Sequence, residues 1–148
     1  MSTKLIVAIV ILFAVVIAAA VLIVLPAPEQ VPSEENGSSE LFVSENVKVS
    51  SPLPNSPVPK TFTVVGEARG PWFFEASFPV QVRDPNNDLV GQGIAQTSVN
   101  WMTTDFVPFT AHVTVTDYAG PATLVLLKDN PSGLPELDDA VSFDIIVE

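Results

Sequence analysis

His112 is the only histidine of the chain, and beside the serines and aspartates present it suggests a Ser-His-Asp relay for acyl transfer. No Gly-x-Ser-x-Gly elbow accompanies it. Its neighbours alternate between polar and apolar, which sets the ring on a flat strand face rather than in a cleft. Glu67 and Glu75 are a carboxylate pair of the kind glycoside hydrolysis employs, but a domain this small gives them no evident cleft for desolvation. Both cases favour solvated surface groups and a protein that is not an enzyme.

Two other constellations remain. Asp129, Asn130, Glu136, Asp138 and Asp139 crowd one stretch near the C-terminus and offer hard oxygen ligands for Ca2+. Pro131 and Gly133 stand where an EF-hand places ligands, so the alternative is a solvated acidic loop shaped by Asn130-Pro131 and Ser132-Gly133. The other constellation is aromatic. Trp72, Phe73 and Phe74 follow a Gly-Pro pair, and Trp101 heads a later segment. If exposed, Trp72, Phe73 and Trp101 form a platform that stacks on a sugar ring or packs against a partner peptide. If buried, the two tryptophans plug the ends of a sandwich. A strand alternates its faces, so Phe74 in the core leaves Phe73 exposed or covered by a loop.

The elements that must position these residues are strands. Val107, Phe109, Ala111, Val113 and Val115 alternate with Pro108, Thr110, His112 and Thr114, the period of a half-buried strand. The same rule puts Phe74, Ala76, Phe78, Val80 and Val82 on one face and Val141, Phe143, Ile145 and Val147 on another. Further strands are expected at Val47 to Ser50, Thr61 to Glu67, Leu89 to Gln96 and Ala122 to Lys128. Asp84 to Asp88 and Tyr118 to Pro121 supply turn chemistry. Pro79 and Pro108 point to edges or bulges, because proline cannot donate to a ladder. About seven strands in some 100 residues predict an all-β, immunoglobulin-like sandwich over 46–148.

The rest of the chain reads as anchor and tether. Leu5 to Leu25 is apolar without a break, and its 21 residues span about 31 Å as a helix, enough to cross a bilayer. The rival reading is a cleaved signal peptide with Ala18 and Ala20 before the cut, but the apolar run continues past Ala20. Lys4 precedes the run and Glu29, Glu34 and Glu35 follow it, so residues 1–4 are expected in the cytoplasm and the domain outside. Residues 26–45 hold three Pro, five Glu and four Ser, the composition of a disordered linker.

Seventeen acidic residues against six basic give a net charge of −11, which disfavours nucleic acid. With no cysteine in the chain, disulfides, a thiol nucleophile and a lipid-bearing N-terminal cysteine are excluded.

Val64-Val65-Gly66-Glu67-Ala68-Arg69-Gly70-Pro71-Trp72-Phe73-Phe74-Glu75-Ala76-Ser77-Phe78-Pro79-Val80 resembles the G-x-A-x-G-x-W-F-F-E-A-x-F-P-V stretch of the immunoglobulin-like domain of bacterial spore germination proteins. Trp101 to Phe109 and Lys128 to Glu136 resemble two later stretches, in the same order. The resemblance runs from about Asn46 to Glu148. It implies an extracytoplasmic β-sandwich of the bacterial envelope that serves interaction rather than catalysis. Relatives often carry a companion germination domain and a lipoprotein cysteine, whereas this chain has neither and carries an apolar segment instead.

The expectation is a single-pass protein of the cell membrane, held through Leu5 to Leu25, that presents a non-catalytic module to an envelope protein or a cell-wall polymer. The alternative is a structural subunit of a larger envelope complex, possibly tied to germination, with no ligand of its own. No cofactor is expected beyond the Ca2+ reading of Asp129, Glu136, Asp138 and Asp139.

Overall fold

Alternation decides the inside of this domain one residue at a time. In β7, Phe106–Val115, the side chains of Val107, Phe109, Ala111, Val113 and Val115 are buried, and Pro108, Thr110, His112 and Thr114 are exposed. The computed structural model describes residues 40–148, so the apolar segment Leu5 to Leu25 and most of the linker lie outside the described residues. Among the described residues no helix is long and apolar enough to cross a membrane.

The described residues form nine strands, and all seven expected ones are among them. They are β1 (Phe42–Val43), β2 (Val47–Ser51), β3 (Pro57–Val58), β4 (Thr61–Arg69), β5 (Ser77–Arg83), β6 (Leu89–Gln96), β7, β8 (Gly120–Leu127) and β9 (Ala140–Val147). Their order across the sheet is β1-β2-β4-β7-β6-β5-β8-β9-β3. Among the described residues only the β3–β9 pair is parallel.

This is one continuous curled sheet, where separate sandwich sheets were expected. The join is β6, which pairs with β5 on one side and β7 on the other. Gly93 allows it. A Cβ there would drive into the His112 carbonyl, so only glycine lets the two backbones close at this bend.

The curl brings β5 over β7. Phe78 and Phe109, on strands with β6 between them, meet edge to face at 4.9 Å, and Phe73 meets Phe78 in the same way at 5.1 Å. Twenty-three apolar residues form the core, and no polar or charged residue is buried among those described.

Three expectations change. Phe42 and Val43 were read as linker, yet they pair with Val49 and Lys48, and Phe42 stacks on Phe143 at 4.9 Å. The average composition of 26–45 hides this short apolar Leu41-Phe42-Val43 run. Second, the face assigned to Phe74 and Ala76 is not a strand face. Glu75 and Ala76 have φ of 49° and 62°, and Phe74 and Ser77 exchange both main-chain hydrogen bonds at 3.0 Å. Two left-handed residues closed by such a pair make a tight hairpin turn. The chain reverses there, so Phe74 points outward while Phe73 and Phe78 are buried.

The third concerns the prolines. β5 and β7 lie inside the sheet rather than at its edges, but Pro79 and Pro108 each sit where only one ladder runs. Pairing to β8 begins at Val80, and pairing of β7 to β6 begins at Thr110. The missing N–H therefore costs no ladder bond.

Candidate functional site at the loop end

Register decides which loops share an end of the sheet. Arg69 at the close of β4 pairs with Phe106 at the start of β7, Leu127 pairs with Ala140, and Ser77 pairs with Gln96. The connections 70–76, 97–105 and 128–139 therefore emerge together. β1 runs toward this end.

Main-chain hydrogen bonds tie the three loops to one another. Gly70 N–H donates to the Asp105 carbonyl at 3.1 Å, Asp129 N–H to the Trp72 carbonyl at 3.0 Å, and Thr97 N–H to the Ala76 carbonyl at 3.0 Å. Gly70 is pressed against the Thr103 and Trp101 carbonyls, where no Cβ fits. Arg69 Nη1 donates to the Thr104 carbonyl at 3.1 Å. Nearby, two cations lie over the Phe106 ring, Lys48 Nζ at 3.9 Å and the Arg69 guanidinium at 4.2 Å.

Trp72 and Phe73 are 2% and 4% exposed, so they cannot form the expected platform. The 3-10 turn Gly70–Trp72 swings the indole under the loops, and the hairpin turn after it inverts the Phe73 and Phe74 assignment. Trp101 is half-buried and packs against the core. The exposed apolar side chains of this end are others: Phe74, Val99, Met102, Leu134 and Leu137. They are five of the eleven large apolar residues exposed in the described chain, and Met102 is the most open at 76%.

The acidic stretch does not make a cage. Among the described residues no three His, Asp or Glu side chains gather at metal-binding spacing. Asp138 accepts from Asn130 Nδ2 at 2.7 Å, Asp139 accepts from its neighbour's Ala140 N–H at 2.9 Å, and Asp129 offers its N–H to Trp72. Glu136 sits in the first turn of the 3-10 segment Pro135–Leu137. Asp138 and Asp139 thus serve the loop's own turns.

His112 is exposed on the outer sheet face and shares a 3.2 Å hydrogen bond with Thr63 across the β4–β7 pair. It lines a shallow recess with Glu75 and Ser98, but among the described residues neither reaches it by hydrogen bond. Glu67 pairs with Lys48 at 3.9 Å instead. No relay joins these groups.

A second recess, of about 260 Å3, opens between the loops and is lined by Asn46, Arg69, Pro71, Trp72, Thr104, Lys128 and Asp139. Sequence reading missed it. Its residues are far apart in the chain and separately unremarkable, although Arg69, Thr104 and Lys128 each fall in one of the three characteristic stretches.

The family model for the immunoglobulin-like domain of bacterial spore germination matches residues 46–133, more than half of the chain. The chain belongs to this family. No curated protein and no solved structure matches it. The matched range opens at Asn46 beside the recess and closes at Gly133 within the last loop. β9 therefore lies beyond it, although its pairing with β8 makes it part of the same sheet. The three stretches that carry the resemblance, 64–80, 101–109 and 128–136, are those that build and tie this loop end.

Proposed function

We propose that the chain is a membrane-tethered, non-catalytic interaction module whose loop end, 70–76, 97–105 and 128–139, contacts a partner protein of the bacterial envelope. An immunoglobulin-like domain of this family suggests an interaction module in its own right. The observation that carries the choice of surface is the set of exposed apolar residues, Phe74, Val99, Met102, Leu134 and Leu137, on loops fastened to one another by main-chain hydrogen bonds. Apolar side chains held on a pre-ordered frame lose little entropy on binding. The unbroken apolar run Leu5 to Leu25 supports the tether, and Lys4 before it supports a domain outside the membrane.

Site-specific photo-cross-linking tests the surface. A benzophenone amino acid placed at Met102 in the full chain, expressed in its own cells, should give a discrete cross-linked product. The same group at Thr114, exposed on the far half of β7, should not. Equal products from the two positions, or none from Met102, would refute this surface.

A further inference from the structure

We infer that the recess between Arg69, Lys128 and Trp72 takes a single carboxylate carried on an otherwise apolar peptide, an inference that rests on the loop end being the partner surface. The domain 46–148 holds twelve acidic and five basic residues, so acids to pair with its bases are plentiful. Yet among the described residues the sole ion pair is Lys48 with Glu67. Arg69 and Lys128 instead each give one donor to a main-chain carbonyl, of Thr104 and of Leu137, both at 3.1 Å. That fixes their heads and leaves further N–H groups for a ligand. Both line the same recess, with the Asn46 side chain beside them.

Trp72 supplies a second, independent sign. It lines the recess, it is 2% exposed, and its Nε1 is the one buried side-chain polar atom without a hydrogen-bond partner among the described residues. A buried donor of this kind is ordinarily satisfied. A carboxylate held by Arg69 and Lys128 brings acceptor oxygens to the side of the recess that Trp72 lines.

Charge sets the ligand class. Two cations and the Asp139 carboxylate line the space, a net of one positive charge, which matches one carboxylate and opposes a dianionic phosphate or a polyanion. The volume, about 260 Å3, holds a side chain or chain terminus rather than a folded surface. The loops that supply Pro71, Trp72 and Thr104 to the recess also carry the exposed Phe74 and Met102, so the flanking residues of the ligand are apolar.

The test is an NMR titration of the 15N-labelled full chain in detergent micelles, read at the two indole N–H resonances and assigned with Trp101→Phe. Trp101 does not line the recess and serves as the internal control. Acetylated, amidated leucyl-glutamyl-leucine is the first probe and its glutamine counterpart the second. Acetyl-leucyl-leucine with a free C-terminus is the third. The Trp72 resonance should move saturably with the first or the third, which identifies a side chain or a terminus as the source, and stay in place with the second. Lys128→Gln, which keeps the Arg69 tie to Thr104, should weaken the response by about tenfold, the scale of one charged hydrogen bond. Arg69→Gln added to it should remove saturation.

No movement with either carboxylate probe, equal movement with the glutamine peptide, or a response to inorganic phosphate would overturn the inference. The titration and the Met102 cross-link fail independently. An intact titration without a cross-link would sink only the partner surface, and the reverse result only the recess.

Discussion

The Trp72 carbonyl accepts the Asp129 N–H at 3.0 Å, so a residue whose ring lies in the core also fastens the loop that follows β8. Packing and loop order therefore share one residue. Trp72→Ala should lower stability by about 3–5 kcal/mol, the range for emptying a large aromatic site. Trp72→Phe should cost distinctly less, because it keeps apolar volume and removes the unpaired N–H. Chemical denaturation of both variants, followed at the Trp101 fluorescence, checks the order.

Gly70 tests the fastening from the other side. A methyl group there meets the Thr103 and Trp101 carbonyls, which are backbone and cannot swing away. Gly70→Ala should cost about 1–3 kcal/mol by overpacking. Gly133→Ala meets no atom within 4 Å and bears only the penalty of its φ of +67°, about 1–2 kcal/mol. Hydrogen exchange should separate the two further. The Gly70 variant should lose protection at Asp129 and the other should not.

The acidic stretch makes a metal prediction. Asp138 and Asp139 are spent on turns and no three of Asp129, Glu136, Asp138 and Asp139 gather at metal-binding spacing, so the melting temperature should be the same in millimolar EDTA as in millimolar CaCl2. A rise with calcium that saturates would show that the loop rearranges into a site.

The sheet was legible in sequence because its strands obey a period of two over seven to ten residues, as in Phe78, Val80 and Val82. Phe74 was not, because the turn that inverts it is built from Glu75 and Ala76, residues with no turn signature of their own. Nothing local announced their left-handed backbone. β1 and β3 escaped for a different reason: two-residue strands are set by the partner they lie against, Val49 and Lys48 for one and Ile146 and Val147 for the other. The recess was invisible for the same cause at longer range. Asn46 and Arg69 become neighbours through the register of β2 on β4, and Lys128 joins them because the curled sheet brings the loop after β8 against Trp72.

The start of the folded domain is open to direct measurement. Phe42 packs on Phe143, and Val43 pairs with Lys48, so a soluble fragment beginning at Glu40 should be more stable than one beginning at Asn46. Losing a half-buried phenylalanine and a short ladder should cost about 1–3 kcal/mol. Phe42→Ala in the longer fragment should reproduce most of that loss, which assigns it to the ring rather than to chain length. If the two fragments melt together, β1 contributes nothing, and the domain begins where the family match does, at Asn46.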